Sequence, residues 1–148
     1  MAGSCSFVHL SIPIQDHLTS LLYFTATAGA ESTSSIFFLI NDLKNWTEAQ
    51  SYCRIHYTDL ASVRNQAEND QMSMMLTQGA WIGLYRNSWK WSDGSSLSFS
   101  YWYPGHAPTA TTTDSCVAAF YSKWTNRDCT FHYYFLCFVG DCVVQPER

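Results

Sequence analysis

The stretch Ala80-Trp81-Ile82-Gly83-Leu84-Tyr85 decides how the rest of the chain is organised. It follows Gly79 and is apolar or glycine at nearly every position, the pattern of a strand buried in a sheet. Downstream, Trp89-Lys90-Trp91 alternates around one polar position, and Ser92-Asp93-Gly94 supplies a turn. Leu97, Phe99 and Tyr101 alternate with serines, as a half-buried strand would. Residues 116–121 and 133–139 predict two more strands. Upstream the periodicity is helical. Thr47 through Gln50 fits a capping box, which predicts a first helix over 48–57 with Ala49, Tyr52, Cys53 and His56 on one stripe. Asn65 with Glu68 fits a second box and predicts a helix over 66–77, stopping at Gly79, with Met72, Met75 and Leu76 as core filler. Ahead of both, Ile36-Phe37-Phe38-Leu39-Ile40 reads as a strand buried on both faces, turned by Asn41-Asp42. Helices followed by short strands define an α+β domain.

Composition narrows the class. In 148 residues, 47% are hydrophobic, 16% aromatic and only 14% charged, against roughly 25% charged on average. That excludes disorder and points to a core rich in rings. The net charge is −4 and no Lys or Arg precedes Lys44, so no basic patch is available for nucleic acid. No apolar run reaches the ~18–20 residues of a membrane span. Residues 1–35 read as a leader, an atypical signal peptide plus linker. Leu18 to Phe24 is largely apolar and Ala26-Thr27-Ala28 has the small-x-small form of a cleavage site, but positive charge near Met1 is missing. The domain is assigned to 36–139 and a tail to 140–148. Six cysteines, Cys5, Cys53, Cys116, Cys129, Cys137 and Cys142, have no metal-site spacing. They favour disulfides and an extracellular, secreted protein, with the pairing left open on counting alone. Asn45-Trp46-Thr47 is an N-glycosylation sequon.

Residues 101–129 form the long connection. Tyr101-Trp102-Tyr103-Pro104-Gly105 leads through His106 and a threonine-rich patch to Asp114-Ser115-Cys116, and Trp124-Thr125-Asn126-Arg127-Asp128-Cys129 closes it. Loops beyond about 12–15 residues in compact domains are usually functional or disordered. Cysteines at the base and aromatic anchors favour function here. Catalysis finds no support: a base at His106 would need a nucleophile and an orienting acid, and neither Ser115 nor Asp114 sits in a nucleophile motif.

Five segments together resemble the C-type lectin-like domains. They are Trp46 to Cys53, Asp59-Leu60-Ala61-Ser62-Val63, Trp81-Ile82-Gly83-Leu84, Trp89 to Gly94, and Phe135-Leu136-Cys137. The resemblance implies two helices packed on short, mostly antiparallel strands with a long stapled loop. It implies disulfides between Cys53 and Cys137 and between Cys116 and Cys129. Cys5 and Cys142 are left to pair with each other, or Cys142 to form a disulfide-linked dimer once the leader is removed.

In the family, sugar binding runs through Ca²⁺ held in this loop by acidic and amide side chains. The matching positions here are His106, Pro108, Asp114, Thr125 and Asn126. Calcium wants six to eight oxygens, with affinity tuned by ligand charge. Only Asp114 offers a carboxylate, so no metal site or cofactor is expected, and any calcium would be weakly held. The resulting expectation is a non-enzymatic recognition module that binds a glycan or protein without calcium. Contacts are assigned to Trp102, His106, Asp114, Trp124, Asn126 and Arg127. Residual Ca²⁺-dependent carbohydrate binding with altered specificity is the alternative.

Overall fold

The structure is a computed structural model and describes residues 35–86, 88–107 and 115–140. Its elements run β1 Ile36–Lys44, α1 Trp46–His56, β2 Asp59–Leu60, α2 Gln66–Met75 and β3 Ala80–Tyr85. They continue with β4 Lys90–Trp91, β5 Ser115–Phe120, β6 Lys123–Asp128 and β7 Tyr133–Val139. The strands form one sheet ordered β1-β7-β3-β5-β6, with β2 on β7 and β4 on β3. The pairing of β3 with β7 is parallel and the others are antiparallel. The α+β architecture implied by the resemblance is the one observed.

The sheet is covered on both sides, which is why β3 is an unbroken apolar run. Along β5 the alternation is explicit. Cys116 and Ala118 join one cluster with Trp46, Ala49, Cys53, Trp81 and Phe135 on the α1 side. Val117 and Ala119 join the other, with Met72 of α2, Trp91 and Trp124. Gly83 explains the glycine in Trp-Ile-Gly-Leu: a Cβ there would sit 2.9 Å from the Leu60 carbonyl oxygen. The bare glycine lets its N–H reach the Ala61 carbonyl at 2.9 Å. Trp46 and Trp81 cross-link the layers through their indole N–H groups, to the carbonyls of Ile82 and Lys44, both at 2.9 Å. The disulfides between Cys53 and Cys137 and between Cys116 and Cys129 are both formed.

Several local expectations change. β1 is an edge strand covered on one face only: Phe37 is buried while Ile36 is 56% exposed. It runs on to Lys44, and Asn41-Asp42 fall in a register irregularity rather than a turn. The first helix is capped by Asn45, not Thr47. Asn45 accepts from the Glu48 N–H while the Glu48 carboxylate accepts from the Asn45 N–H. The earlier start wins because the Trp46 N–H finds the Cys129 carbonyl at 3.0 Å, satisfying a donor the helix leaves open. His56 is exposed, off the predicted stripe. Asn65 caps α2, but its capping box is only half made. Glu68 is buried and accepts from the Arg64 N–H and the Ser35 hydroxyl instead. Helix α2 ends at Met75, short of Thr77, because Leu76 turns extended to bury its side chain. Leu97, Phe99 and Tyr101 are half-buried as expected but form no strand: the pairings flanking them among the described residues are two isolated bridges, Lys90 with Ser96 and Trp102 with Trp124. Strand β6 departs from the sequence expectation, its residues being mostly polar.

The turn after β4 carries a titratable group. Asp93 accepts from the Ser62 hydroxyl at 2.8 Å and from the Ser95 N–H and hydroxyl. Partial burial pushes its carboxyl up, but the Ser95 and Ser62 hydrogen bonds and the charge of Arg64 outweigh this and hold it below the usual carboxylate range. A carboxyl lowered by folding stabilises above its unfolded-state pKa, and that stabilisation is lost as pH falls through the folded value. Asp93→Asn should therefore be less stable than wild type at neutral pH, with the gap closing below pH ~3.9. Urea midpoints of both proteins at neutral and acid pH check this; a gap independent of pH would contradict it.

Candidate functional site

The loop leaves the turn at Gly94 and is pinned to β6 by two backbone bonds. The Trp124 N–H donates to the Tyr101 carbonyl and the Tyr103 N–H to the Trp124 carbonyl, each at 2.9 Å. These make Trp102 and Trp124 bridge partners. Trp124 itself is 0% exposed. Its indole meets Trp91, Phe99 and Trp102 edge to face at 5.6, 5.8 and 5.9 Å. Its Nε1–H donates to Asn69 Oδ1 at 2.9 Å, and the Asn69 amide donates onward to the Ser122 carbonyl at 3.1 Å. Trp124 is thus a support and not the ligand contact expected: a fully buried ring has no face left for a ligand.

What Trp124 supports is half-buried: Trp102 and Trp89 pack against the core and reach the surface only in part. Trp102 stands against Trp89 at 5.5 Å, edge to face. Trp89 is held at φ 47, in left-handed backbone that a bulky residue adopts only when the surroundings impose it. Tyr103 is 50% exposed and meets the exposed His106 ring at 5.3 Å. Gly105 takes φ 78, and the His106 N–H returns to the Tyr103 carbonyl at 2.9 Å, closing the turn that presents both rings. The Lys123 ammonium lies 3.5 Å from the centre of the Tyr101 ring. The described part of the loop face is therefore an aromatic ridge of Trp89, Trp102, Tyr103 and His106. Trp89 and Tyr103 were not assigned as contacts from sequence. The Trp-Lys-Trp triplet and the exposed second tyrosine of Tyr-Trp-Tyr were the available signals.

The remaining assigned residues separate. On β6, Asn126 lies opposite Val117 and Arg127 opposite Cys116, so they face different sides of the sheet. Asn126 points toward the loop side. The Arg127 guanidinium packs over Phe120 at 5.3 Å, on the α1 side and away from the ridge. Asp114 and Pro108 lie outside the described residues, as do the threonines between them.

Calcium fits the described positions poorly. Thr125 is 5% exposed and its hydroxyl donates to the Ala118 carbonyl at 3.4 Å, so it is turned into the sheet. His106 offers nitrogen, which a hard cation disfavours. Asn126 Oδ1 is a buried carbonyl oxygen with no hydrogen-bond partner among the described residues. No three His, Cys, Asp or Glu among the described residues are grouped as a metal site would need.

A sheet sandwiched between helix and stapled loop, with a ridge of rings at the loop, defines a disulfide-bonded recognition domain. The family pattern described as "Lectin C-type domain" matches residues 42–138, and the chain belongs to that family. It is a binding domain and not an enzyme. It is 31% identical to C-type lectin lectoxin-Phi1 of Philodryas olfersii over 118 residues, 70% of this chain and 76% of that one. With a C-type lectin mannose-binding isoform of Notechis scutatus scutatus it shares 30% over 115 residues, 67% and 73% of the two chains. Among solved structures, human lithostathine superposes with a TM-score of 0.65 at 26% identity, covering 76% of this chain and all of that one. A calcium-independent type II antifreeze protein shares the fold, with a TM-score of 0.66 at 20% identity over 72% and 88%. No helix among the described residues is long and apolar enough to cross a membrane.

Proposed function

We propose that the domain recognises a glycan or protein ligand through the loop face without calcium, using Trp102, Tyr103 and His106 as its contacts. The observation that carries this is the ridge itself: Trp102 is braced on Trp89 and Trp124, so its ring is oriented before any ligand arrives. Braced aromatic rings bind sugar faces and anchor protein interfaces at little entropic cost. Turning the Thr125 hydroxyl into the sheet removes an oxygen that a calcium site would need. A relative named as mannose-binding supports a glycan as the first ligand class to try. The two disulfides suit an extracellular protein, with residues 1–35 as its leader. Intact mass of non-reduced protein from a secreting host reads both leader removal and dimerisation through Cys142.

A second reading, residual calcium-dependent sugar binding, draws on one feature: the orphaned Asn126 Oδ1 would be satisfied by a cation beside it. Binding to a panel of immobilised glycans, with calcium or with EDTA, separates the two. The calcium-free reading expects equal signals, and a loss of about tenfold on Trp102→Ala or Tyr103→Ala. Micromolar calcium binding by calorimetry, strengthened by mannose or galactose, would overturn it.

A further inference from the structure

A second concavity lies away from the aromatic ridge, between the N-terminus of α1 and the end of the β5–β6 ladder. It has a volume of about 480 Å³, and its walls include Thr47, Tyr85, Arg86, Ser115, Asp128 and Thr130, with the bridge between Cys116 and Cys129 alongside. That volume is in the range of small-ligand sites. Three of the polar groups in its wall are left with bonding capacity.

Ser115 is only 5% exposed, yet its hydroxyl makes no hydrogen bond within the described structure. The hydroxyl oxygen itself reaches solvent at the cleft, where a ligand can take the place of water. Tyr85 packs its ring on Trp46 at 5.1 Å, and its phenol oxygen likewise has no hydrogen bond. The Asp128 carboxylate is held in place through one oxygen, Oδ1, by the N–H and hydroxyl of Thr130 at 2.9 and 2.8 Å. Oδ2 carries no hydrogen bond within the described structure. The two Thr130 bonds also keep the carboxyl below the usual carboxylate range, so it is an acceptor at any physiological pH.

The charges choose the ligand class. Arg86 in the same wall opposes a purely cationic ligand, and Asp128 opposes an anionic one. A neutral, hydroxyl-rich ring suits both. Its vicinal hydroxyls can donate to Asp128 Oδ2, accept from the Ser115 hydroxyl and the Tyr85 phenol, and lie against the tyrosine ring. We infer that this cleft is a second ligand site, taking a single neutral sugar ring independently of calcium and of the aromatic ridge.

The test is a titration of ¹⁵N-labelled protein in EDTA with N-acetylglucosamine and methyl α-mannoside, followed by amide chemical shifts. Single sugars on shallow sites bind in the millimolar range. Saturable shifts at Ser115, Asp128 and Thr130 are expected, weakened about tenfold by Asp128→Asn, since a hydrogen bond to a charged group is lost. Ser115→Ala, which keeps the packing volume, should weaken binding severalfold. Tyr103→Ala should leave these shifts untouched, which separates this site from the ridge. No shift at tens of millimolar sugar would overturn the inference. So would stronger binding of glucosamine or inorganic phosphate than of the neutral sugars, or an affinity indifferent to both substitutions.

Discussion

Replacing Cys53 and Cys137 together by alanine should destabilise the domain by about 4.5 kcal/mol and leave it largely unfolded at 37 °C. The bridge closes a loop of sequence separation 84. The chain-entropy relation gives about 4.5 kcal/mol for a loop of that length and about 3 kcal/mol for the separation of 13 between Cys116 and Cys129. Against typical stabilities of about 5–15 kcal/mol, the first loss removes from about a third of the margin to nearly all of it. Location adds to length. Both cysteines are fully buried, and the bond fastens α1 to β7, the strand that pairs with β1, β2 and β3. The Cys116 and Cys129 pair fastens only the end of the β5–β6 ladder. Its removal should loosen the loop base and the sugar cleft while the helices and β3 persist. Urea unfolding of the two double variants, followed by far-UV circular dichroism, measures both effects. Equal losses, or a larger loss for the shorter loop, would show that strain or residual unfolded-state structure outweighs loop entropy.

Burial on both faces and local capping explain which parts of the fold could be read from the sequence. Strand β3 was legible because both its faces are covered, so every side chain had to be small or apolar. β7 was legible for the same reason. Helix α2 was legible from Asn65, whose side chain does accept from the Glu68 N–H. At α1 two overlapping boxes competed, Asn45 with Glu48 and Thr47 with Gln50. The choice between them rests on the Cys129 carbonyl, 83 residues from Trp46 in sequence, and so is invisible locally. Strand β6 was illegible from composition, because Lys123, Asn126, Arg127 and Asp128 sit on an edge with only one neighbour.

The candidate face was legible as a stapled, aromatic loop, but which of its rings reach the surface was not. Two cysteines and a run of aromatics located the loop, and the missing carboxylates weakened the case for calcium. Which rings face outward depends on pairing. Asn126 and Arg127 are adjacent in sequence, and only the β5–β6 register puts them on opposite faces. Trp102 and Trp124 look equivalent in sequence, each beginning a polar or turn-rich segment. Asn69 separates them: it buries Trp124 by accepting from its indole N–H across 55 residues.

Trp124→Ala should therefore be the most damaging single substitution near the loop, costing about 4 kcal/mol or more. Truncating a buried tryptophan typically costs about 3–5 kcal/mol through lost transfer energy and the cavity left behind. Three edge-to-face contacts vanish with it, and Asn69 Oδ1 loses its hydrogen bond in the core, a further penalty of about 1–3 kcal/mol that will not simply add. Trp102 would lose the ring behind it, so residues 101–103 should also lose protection from hydrogen exchange. Because the alanine variant approaches the limit of stability, Trp124→Phe is the sharper instrument. It keeps a ring in contact with Trp91 and Phe99 but removes the N–H, and it should cost about 2 kcal/mol, close to the penalty for the orphaned carbonyl oxygen. Asn69→Leu in the Trp124→Phe background should then recover part of that loss, since the acceptor is removed along with its donor, though the Asn69 amide bond to Ser122 is given up too. Denaturant midpoints of the three variants give the comparison. If Trp124→Phe costs as much as Trp124→Ala, the ring contacts are not what holds the ridge. If it costs nothing, the Asn69 hydrogen bond is not what keeps Trp124 inside.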